Sequence, residues 1–262
     1  MPRQLVFLHG FMGHGSDWDP VRAQLSELDS RSNTLANSRS NTLANTLANT
    51  LANTRAINMD VALDWQDSIQ SLADSIEPGS IVVGYSMGAR LALGVALEFP
   101  ARLGGLVFVA GNPGLESATE RNNRRLFDEQ LACQIEQGQL ELFLEQWYQA
   151  SVFESLPDDI RREEIQRKLE RDPQDWPTLL RVNSVSQQPN YWLRLKELSM
   201  PTLVVAGLRD DKYTEIASRF RATAALNHVK TEQLADCGHM VHREQPAKLA
   251  GLIRDFMNSL AR

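Results

Sequence analysis

The chain of 262 residues predicts an α/β fold, a mostly parallel sheet flanked by helices and carrying an inserted helical cap. Three observations predict it. Four short runs, LVFLHG, IVVGYS, GGLVFVAG and PTLVVAG, are apolar without alternation, as expected of strands covered on both faces. Stretches with helix-spaced apolar residues fill the gaps between most of them, which is the rhythm of parallel βαβ units. Residues 112–198 contain no such run and read as helix.

Taken in order, Leu5–Gly10 is the first strand. One basic residue and a short apolar run precede its glycine, too little for a secretory signal or a membrane span, so the expectation is a soluble cytoplasmic protein with no membrane partner. Residues 30–54 then break the rhythm. SRSNTLAN occurs twice in tandem, at Ser30–Asn37 and Ser38–Asn45, and TLAN follows twice more through Asn53. That period is far below the ~20–50 residues of solenoid units and offers one leucine per repeat to a core. The expectation is a disordered surface loop that lengthens the connection to a strand at RAINMDV, Arg55–Val61, which loop-closure entropy tolerates.

Ile81–Ser86 and Gly104–Gly111 are the next strands, with a helix at Met87–Glu98 between them. LFDEQLACQIEQGQLELFLEQWYQ, DDIRREEIQRKLE and WPTLLRVNSV make residues 112–198 a helical cap on a core of residues 1–111 and 199–262. Such an insertion covers the C-terminal edge of the sheet, where open α/β sheets bind ligands. Pro201–Gly207 is a strand, Tyr213–Leu226 a helix, His228–His239 a last strand with its loop, and Pro246–Leu260 a last helix.

The net charge of −6 argues against nucleic acid as the main partner, because a phosphate-tracking surface is basic. The cations are nevertheless lopsided. Only five are lysines, and arginines crowd Arg121–Arg125 and Arg161–Arg171, so a small anionic substrate stays open. Cys133 and Cys237 lie far apart without metal spacing, so neither a disulfide framework nor a zinc site is implied.

Gly84-Tyr85-Ser86-Met87-Gly88 fits G-x-S-x-G with a strand before it and a helix after, the context in which a sharp turn lifts a serine Oγ clear of the backbone. An acid and a histidine should follow, each in a loop after a strand. Asp210 follows PTLVVAGLR and His239 follows LADCG. Their nearest rivals, Asp211 and His242, are displaced from the strand ends; His9 also competes, but in LHGF it reads as a loop prop. The backbone N–H groups of Phe11 and Met87 would be preorganised donors toward developing negative charge, whatever reaction produces it.

At this point the chain resembles an α/β-hydrolase-fold protein over nearly its whole length. GNPGL (Gly111–Leu115), the ER..RR..DE pattern (Glu120, Arg121, Arg124, Arg125, Asp128, Glu129), FLEQWYQ, VFESL, SVSQQPNYW and CGHMVHREQP resemble the 2-succinyl-6-hydroxy-2,4-cyclohexadiene-1-carboxylate synthases of menaquinone and phylloquinone biosynthesis. The resemblance implies a lyase that removes pyruvate from 2-succinyl-5-enolpyruvyl-6-hydroxy-3-cyclohexene-1-carboxylate without cofactor or metal. Ser86, made basic by His239 and Asp210, would abstract a ring proton beside the succinyl carbonyl rather than attack. For a tricarboxylate substrate the resemblance points to Tyr85, Arg90, Arg124 and Trp147, with one further cap arginine near RKLER. Arg167 is the choice there, and Lys168 and Arg171 remain open.

Each has a plainer reading as well: Arg90 as a helix-surface arginine, Trp147 as cap core, Arg124 and Arg167 as ion pairs with nearby acids. The chain also departs from the family's D-L-P-G-H-G turn, reading Asp60-Val61-Ala62-Leu63-Asp64-Trp65 there. Two competing functions are a carboxylesterase or thioesterase with Ser86 as nucleophile, and a ligand binder on the same fold with vestigial chemistry.

Overall fold

The computed structural model describes residues 4–35, 53–59 and 63–260. Within them β1 (Leu5–Leu8), β2 (Thr54–Ile57), β3 (Ser80–Tyr85), β4 (Leu103–Val109), β5 (Thr202–Gly207) and β6 (Val229–Leu234) form one sheet in the order β2-β1-β3-β4-β5-β6. All five pairings are parallel, with Val6 opposite Val82, Val83 opposite Val107 and Phe108 opposite Val204. The apolar runs lacked alternation because both faces are covered.

Alternate residues feed two cores. Leu5, Phe7, Val83, Val107 and Val205 face α1 (Asp19–Leu35) and α10 (Pro246–Leu260), through Trp18, Val21, Ile253 and Phe256. Val6, Leu8, Val82, Phe108 and Val204 face α2 (Trp65–Ser75), α3 (Met87–Glu98) and α8 (Asp211–Ala224), through Ile69, Leu91, Val95 and Phe220. The edge strand β6 carries Lys230, Thr231, Glu232 and Gln233 in mid-strand and is largely open.

Between β4 and β5 lie α4 (Ala118–Glu136), α5 (Leu140–Tyr148), α6 (Asp158–Leu169) and α7 (Trp176–Val182), with no strand among the described residues. Ser117 starts α4 in a reciprocal box: its hydroxyl accepts the Glu120 N–H at 3.0 Å, and the Glu120 carboxylate accepts the Ser117 N–H at 3.1 Å. The long apolar stretch read from Leu126 breaks at Gly138, whose φ of 75° favours glycine. Leu131, Phe143, Leu144 and Trp176 from these helices join the same core as Phe7 and Val83. Arg121 ties the insertion together by donating to the carbonyls of Leu115, Ser186 and Gln188.

Three boundaries differ from the sequence reading. The strand expected at Arg55–Val61 spans Thr54–Ile57, and Asp60 and Val61 lie outside the described residues. The helix expected from Tyr213 begins at Asp211, because the Asp210 carboxylate caps it by accepting the Tyr213 N–H. Helix α1 runs into the first repeat copy as far as Leu35, so that copy is not all loop; residues 36–52 lie outside the described residues. Deleting residues 38–45, one full copy, removes no residue of α1 or β2 as described. The melting temperature is expected to stay within about 2 °C of the parent in a thermal unfolding scan.

Candidate active site

The turn from β3 into α3 places Ser86 at φ 51° and ψ −107°, a conformation that L-residues rarely adopt. Two glycines make it possible. A Cβ on Gly88 would lie 2.5 Å from the carbonyl oxygens of Leu8 and His9, and one on Gly84 would lie 2.5 Å from the Gly88 carbonyl oxygen. The elbow therefore presses α3 directly against the end of β1. Ser86 is pinned by its own backbone as well, donating its N–H to the Val109 carbonyl at 2.9 Å and accepting the Arg90 N–H at 3.1 Å.

Ser86 Oγ lies 3.3 Å from His239 Nε2, and His239 Nδ1 lies 2.9 Å from Asp210 Oδ2. The three arrive from the ends of β3, β5 and β6. Asp210 and His239 are buried while Ser86 is half-buried, the exposure expected of the group that meets a substrate. The rivals stand elsewhere. Asp211 is exposed in the first turn of α8, and His242 is buried between the rings of Trp18 and Tyr85, at 5.1 and 4.2 Å. Burial pushes the His242 pKa down to about 3, so the ring is neutral at ordinary pH. His9 props its loop: Nδ1 bonds the Gly10 carbonyl at 2.7 Å and Nε2 accepts the Met59 N–H at 2.9 Å. The N–H groups of Phe11 and Met87 donate to no acceptor among the described residues, and Met87 opens α3, where such donors are left over.

A cavity of about 330 Å³ opens on Ser86 and His239. Of the residues that the resemblance implied, Tyr85, Arg124 and Trp147 line it, and so does Phe11, expected as an oxyanion donor. Arg124 is held by Nε on the Asp128 carboxylate, at 2.8 and 2.9 Å, and its two terminal nitrogens make no hydrogen bond among the described residues. Asp128, itself buried, is held in turn by the Ser184 hydroxyl. Trp147 packs on Phe11 with ring centroids 5.3 Å apart.

Arg90 and Arg167 are placed differently. Arg90 donates to the Asn183 carbonyl at 2.7 Å and Gln188 Oε1 at 3.2 Å and lies on the Trp65 ring, so it ties α3 to the loop after α7 and does not line the cavity. Burial, with Arg124 nearby, pulls its pKa down to about 10. Arg167 pairs with Asp17 at 2.8 Å and Glu164 at 2.9 Å, and Arg171 with Asp17 at 3.0 Å; neither lines the cavity. Lys168 does. It is buried, with Nζ 3.4 Å from Asp17 and 3.6 Å from Glu164. Burial lowers the Lys168 pKa against the pull of both acids. Burial works to raise the Asp17 pKa, but Lys168, Arg171 and the His14 N–H overcome it and hold the carboxyl well below the usual carboxylate range.

Five further titratable lining residues were not read from the sequence: Asp17, Tyr148, Glu164, Lys212 and Tyr213. The hydroxyls of Tyr85, Tyr148 and Tyr213 make no hydrogen bond among the described residues, and burial pushes all three pKa values up, so they face the cavity as neutral donors. Only Lys212 and Tyr213 carried a signal, their position two and three residues after the acid. Of the departure from the D-L-P-G-H-G turn, Asp60–Ala62 lies outside the described residues, while Asp64 caps α2 by accepting the Asp67 N–H and Trp65 lies under Arg90. Among the described residues no helix is long and apolar enough to cross a membrane.

Residues 5–252 match the model of the alpha/beta hydrolase family. The 2-succinyl-6-hydroxy-2,4-cyclohexadiene-1-carboxylate synthase of Enterobacter sp. (strain 638) is 30% identical, over 97% of this chain and 91% of its own length. The chloroplastic protein PHYLLO of Arabidopsis thaliana is 29% identical over 96% of this chain, and the chain spans 15% of PHYLLO's length. Among solved structures, MenH from S. aureus superposes with a TM-score of 0.81 at 24% identity, covering 100% of this chain and 96% of that one, which speaks for the fold.

His242 generates a pH prediction. Its folded pKa of about 3 lies below the ordinary 6.5, so between these values the unfolded chain binds the extra proton and stability falls as the pH drops. The slope approaches one proton, ~1.4 kcal/mol per pH unit. Asp17, also depressed, adds its own loss only below its ordinary value of 3.8. Replacing His242 with Phe keeps a ring between Trp18 and Tyr85 and is expected to flatten the stability curve between about pH 6.5 and 4.5 relative to the parent, read by urea unfolding at stepped pH.

Proposed function

Because the chain belongs to the alpha/beta hydrolase family, and within it to the 2-succinyl-6-hydroxy-2,4-cyclohexadiene-1-carboxylate synthases, we propose that it eliminates pyruvate from 2-succinyl-5-enolpyruvyl-6-hydroxy-3-cyclohexene-1-carboxylate. The observation that carries the reading is a hydrogen-bonded Ser86-His239-Asp210 relay opening on a cavity with an anchored but unsatisfied Arg124 guanidinium.

The chemistry follows from the geometry. His239 Nε2 accepts the Ser86 proton as Ser86 Oγ takes the ring proton next to the succinyl carbonyl. Asp210 holds the His239 tautomer and stabilises the imidazolium. The electrons of the broken C–H bond move onto the succinyl oxygen, toward the N–H groups of Phe11 and Met87, then return through the ring double bond and break the bond to the enolpyruvyl oxygen. The leaving enolate takes a proton at carbon and becomes pyruvate. No electrons are exchanged with an outside acceptor, so the reaction calls for no redox cofactor. Arg124, Lys168 and Lys212 offer positive charge to the substrate's three carboxylates, with Tyr85 and Trp147 as walls. Such a small trianion is met in water, and we place the enzyme in the cytoplasm.

Arg124→Ala is expected to lose a charge-assisted contact worth ~1.5–3 kcal/mol, roughly one to two decades in kcat/KM. Arg121→Ala removes three hydrogen bonds to cap carbonyls and is expected to lower Tm while changing kcat/KM less. Equal effects on kcat/KM would contradict the assignment of Arg124 to the substrate.

The reaction itself is tested by incubating the enzyme with the enolpyruvyl substrate and assaying pyruvate, with intact-mass analysis of rapidly quenched samples. Pyruvate release without a substrate-derived mass on Ser86 is expected, together with slower turnover when the abstracted ring hydrogen is deuterium. A covalent adduct on Ser86 with efficient turnover of neutral esters would replace the lyase by a hydrolase.

A further inference from the structure

The loop carrying His239 is fastened by a residue that the reaction scheme does not use. Glu244 closes the short helix α9 (Val241–Glu244), and its side chain turns back over the loop. Its Oε2 accepts the Gly238 N–H at 2.9 Å and its Oε1 accepts the Met240 N–H at 3.1 Å. The two residues flanking His239 are thus held by one carboxylate. The loop has little freedom to choose another arrangement. At Gly238 an added Cβ would run into the Ser155 hydroxyl, and the Cys237 carbonyl is already taken by the Arg209 N–H at 2.9 Å.

We propose that Glu244 is a positioning residue for His239: by bridging the flanking N–H groups it sets the distance from the imidazole to Ser86, and its negative charge supports the imidazolium formed during turnover. The proposal rests on the reading of Ser86, His239 and Asp210 as a proton relay. A backbone held by two charge-assisted hydrogen bonds loses little entropy when the ring must stay within reach of Oγ, now 3.3 Å away. Burial raises the Glu244 pKa, while the two N–H groups, His239 and Arg209 favour its charged form. The other groups facing His239 are Asp210 on Nδ1, the rings of Tyr85, Tyr213 and Phe153, and neutral His242; facing Glu244 are Arg209 and the buried Cys237 thiol.

Three variants separate geometry from charge. Glu244→Asp keeps the charge on a shorter arm, Glu244→Gln keeps the arm without the charge, and Glu244→Ala loses both. With the enolpyruvyl substrate, kcat is expected to fall by roughly one to two decades in Glu244→Ala, with KM held within about threefold. The acid limb of the kcat/KM profile should move to lower pH in Glu244→Gln and Glu244→Ala and stay in place in Glu244→Asp, because only the first two remove a negative charge beside the imidazole.

Two readouts need no substrate: the rate at which a fluorophosphonate labels Ser86, and the pH titration of the His239 Cε1–H signal by NMR. Both should shift in the same order across the variants. If the parent releases no pyruvate, the lyase reading fails while these two still decide the role of Glu244. Variants that unfold at lower temperature yet label and titrate like the parent would overturn the proposal and leave Glu244 as a loop clamp alone.

Discussion

A backbone that turns only where two neighbouring positions carry no side chain organises this protein. Gly88 lets α3 lie against the carbonyl oxygens at the end of β1, and Gly84 lets the helix fold back over its own strand. Ser86 is thereby held at positive φ with its N–H on β4, and such a residue, at roughly 1–3 kcal/mol of strain, persists only where the surroundings leave no alternative. The surroundings here are three adjacent parallel strands. The same contact brings the loop after β1, with the Phe11 N–H, next to the first N–H of α3. The positions of Ser86 and of the two N–H groups beside it are therefore consequences of one packing constraint. Asp210 and His239 follow β5 and β6, and the loop after β6 reaches back so that His239 stands between Ser86 and Asp210.

Electrostatics then divides the cap arginines into two kinds. Arg121, Arg161, Arg171 and Arg181 each bind protein carbonyls or carboxylates and hold the insertion together. Arg167, Arg171 and Lys168 meet Asp17, which lies just after the β1 loop, so α6 is tied to the core by a largely buried ion network. Taking these charges out of water is expensive, and removing one partner would leave another unpaired, which is why such a network fixes geometry more than it adds stability. Arg124 is the exception. Asp128 fixes its Nε and leaves both terminal nitrogens without a hydrogen bond among the described residues, a guanidinium held in one orientation at the cavity wall.

These two facts explain what was legible in the sequence. The strands, and the meeting of Ser86, Asp210 and His239, could be read because strand runs, the G-x-S-x-G turn and residues just past strand ends are local signals. The cavity wall was less legible. In the run RKLER only the phase of α6 decides which cation faces inward, and successive helix residues differ by ~100°. That helix, DDIRREEIQRKL, has no apolar stripe to set its phase, and the inward residue is Lys168 while Arg167 turns to the ion network. Asp17 and Glu164 went unread for a related reason: a buried acid makes sense only once the buried cation it pairs with, Lys168, is known. The length of α1 was hidden differently, since SRSNTL consists mainly of poor helix formers and its helical state is continued from the preceding turns.

Whether Ser86 attacks or relays a proton is not a property of the triad, whose distances serve both roles. Donors aimed at a developing oxyanion stabilise an enolate as well as a tetrahedral adduct, because in both the charge sits on the former carbonyl oxygen. The difference lies in which substrate atom is held at Oγ. On the proposed reading Arg124 on α4 and Lys168 on α6, which both line the cavity, would hold the substrate by its carboxylates and so fix the ring between them. Moving that ring by about an ångström exchanges a C–H for a carbonyl carbon in front of the serine. On that reading the choice between lyase and hydrolase would therefore rest with the cations that hold the substrate, while the elbow and the His239 loop supply the same strained serine and its base to either.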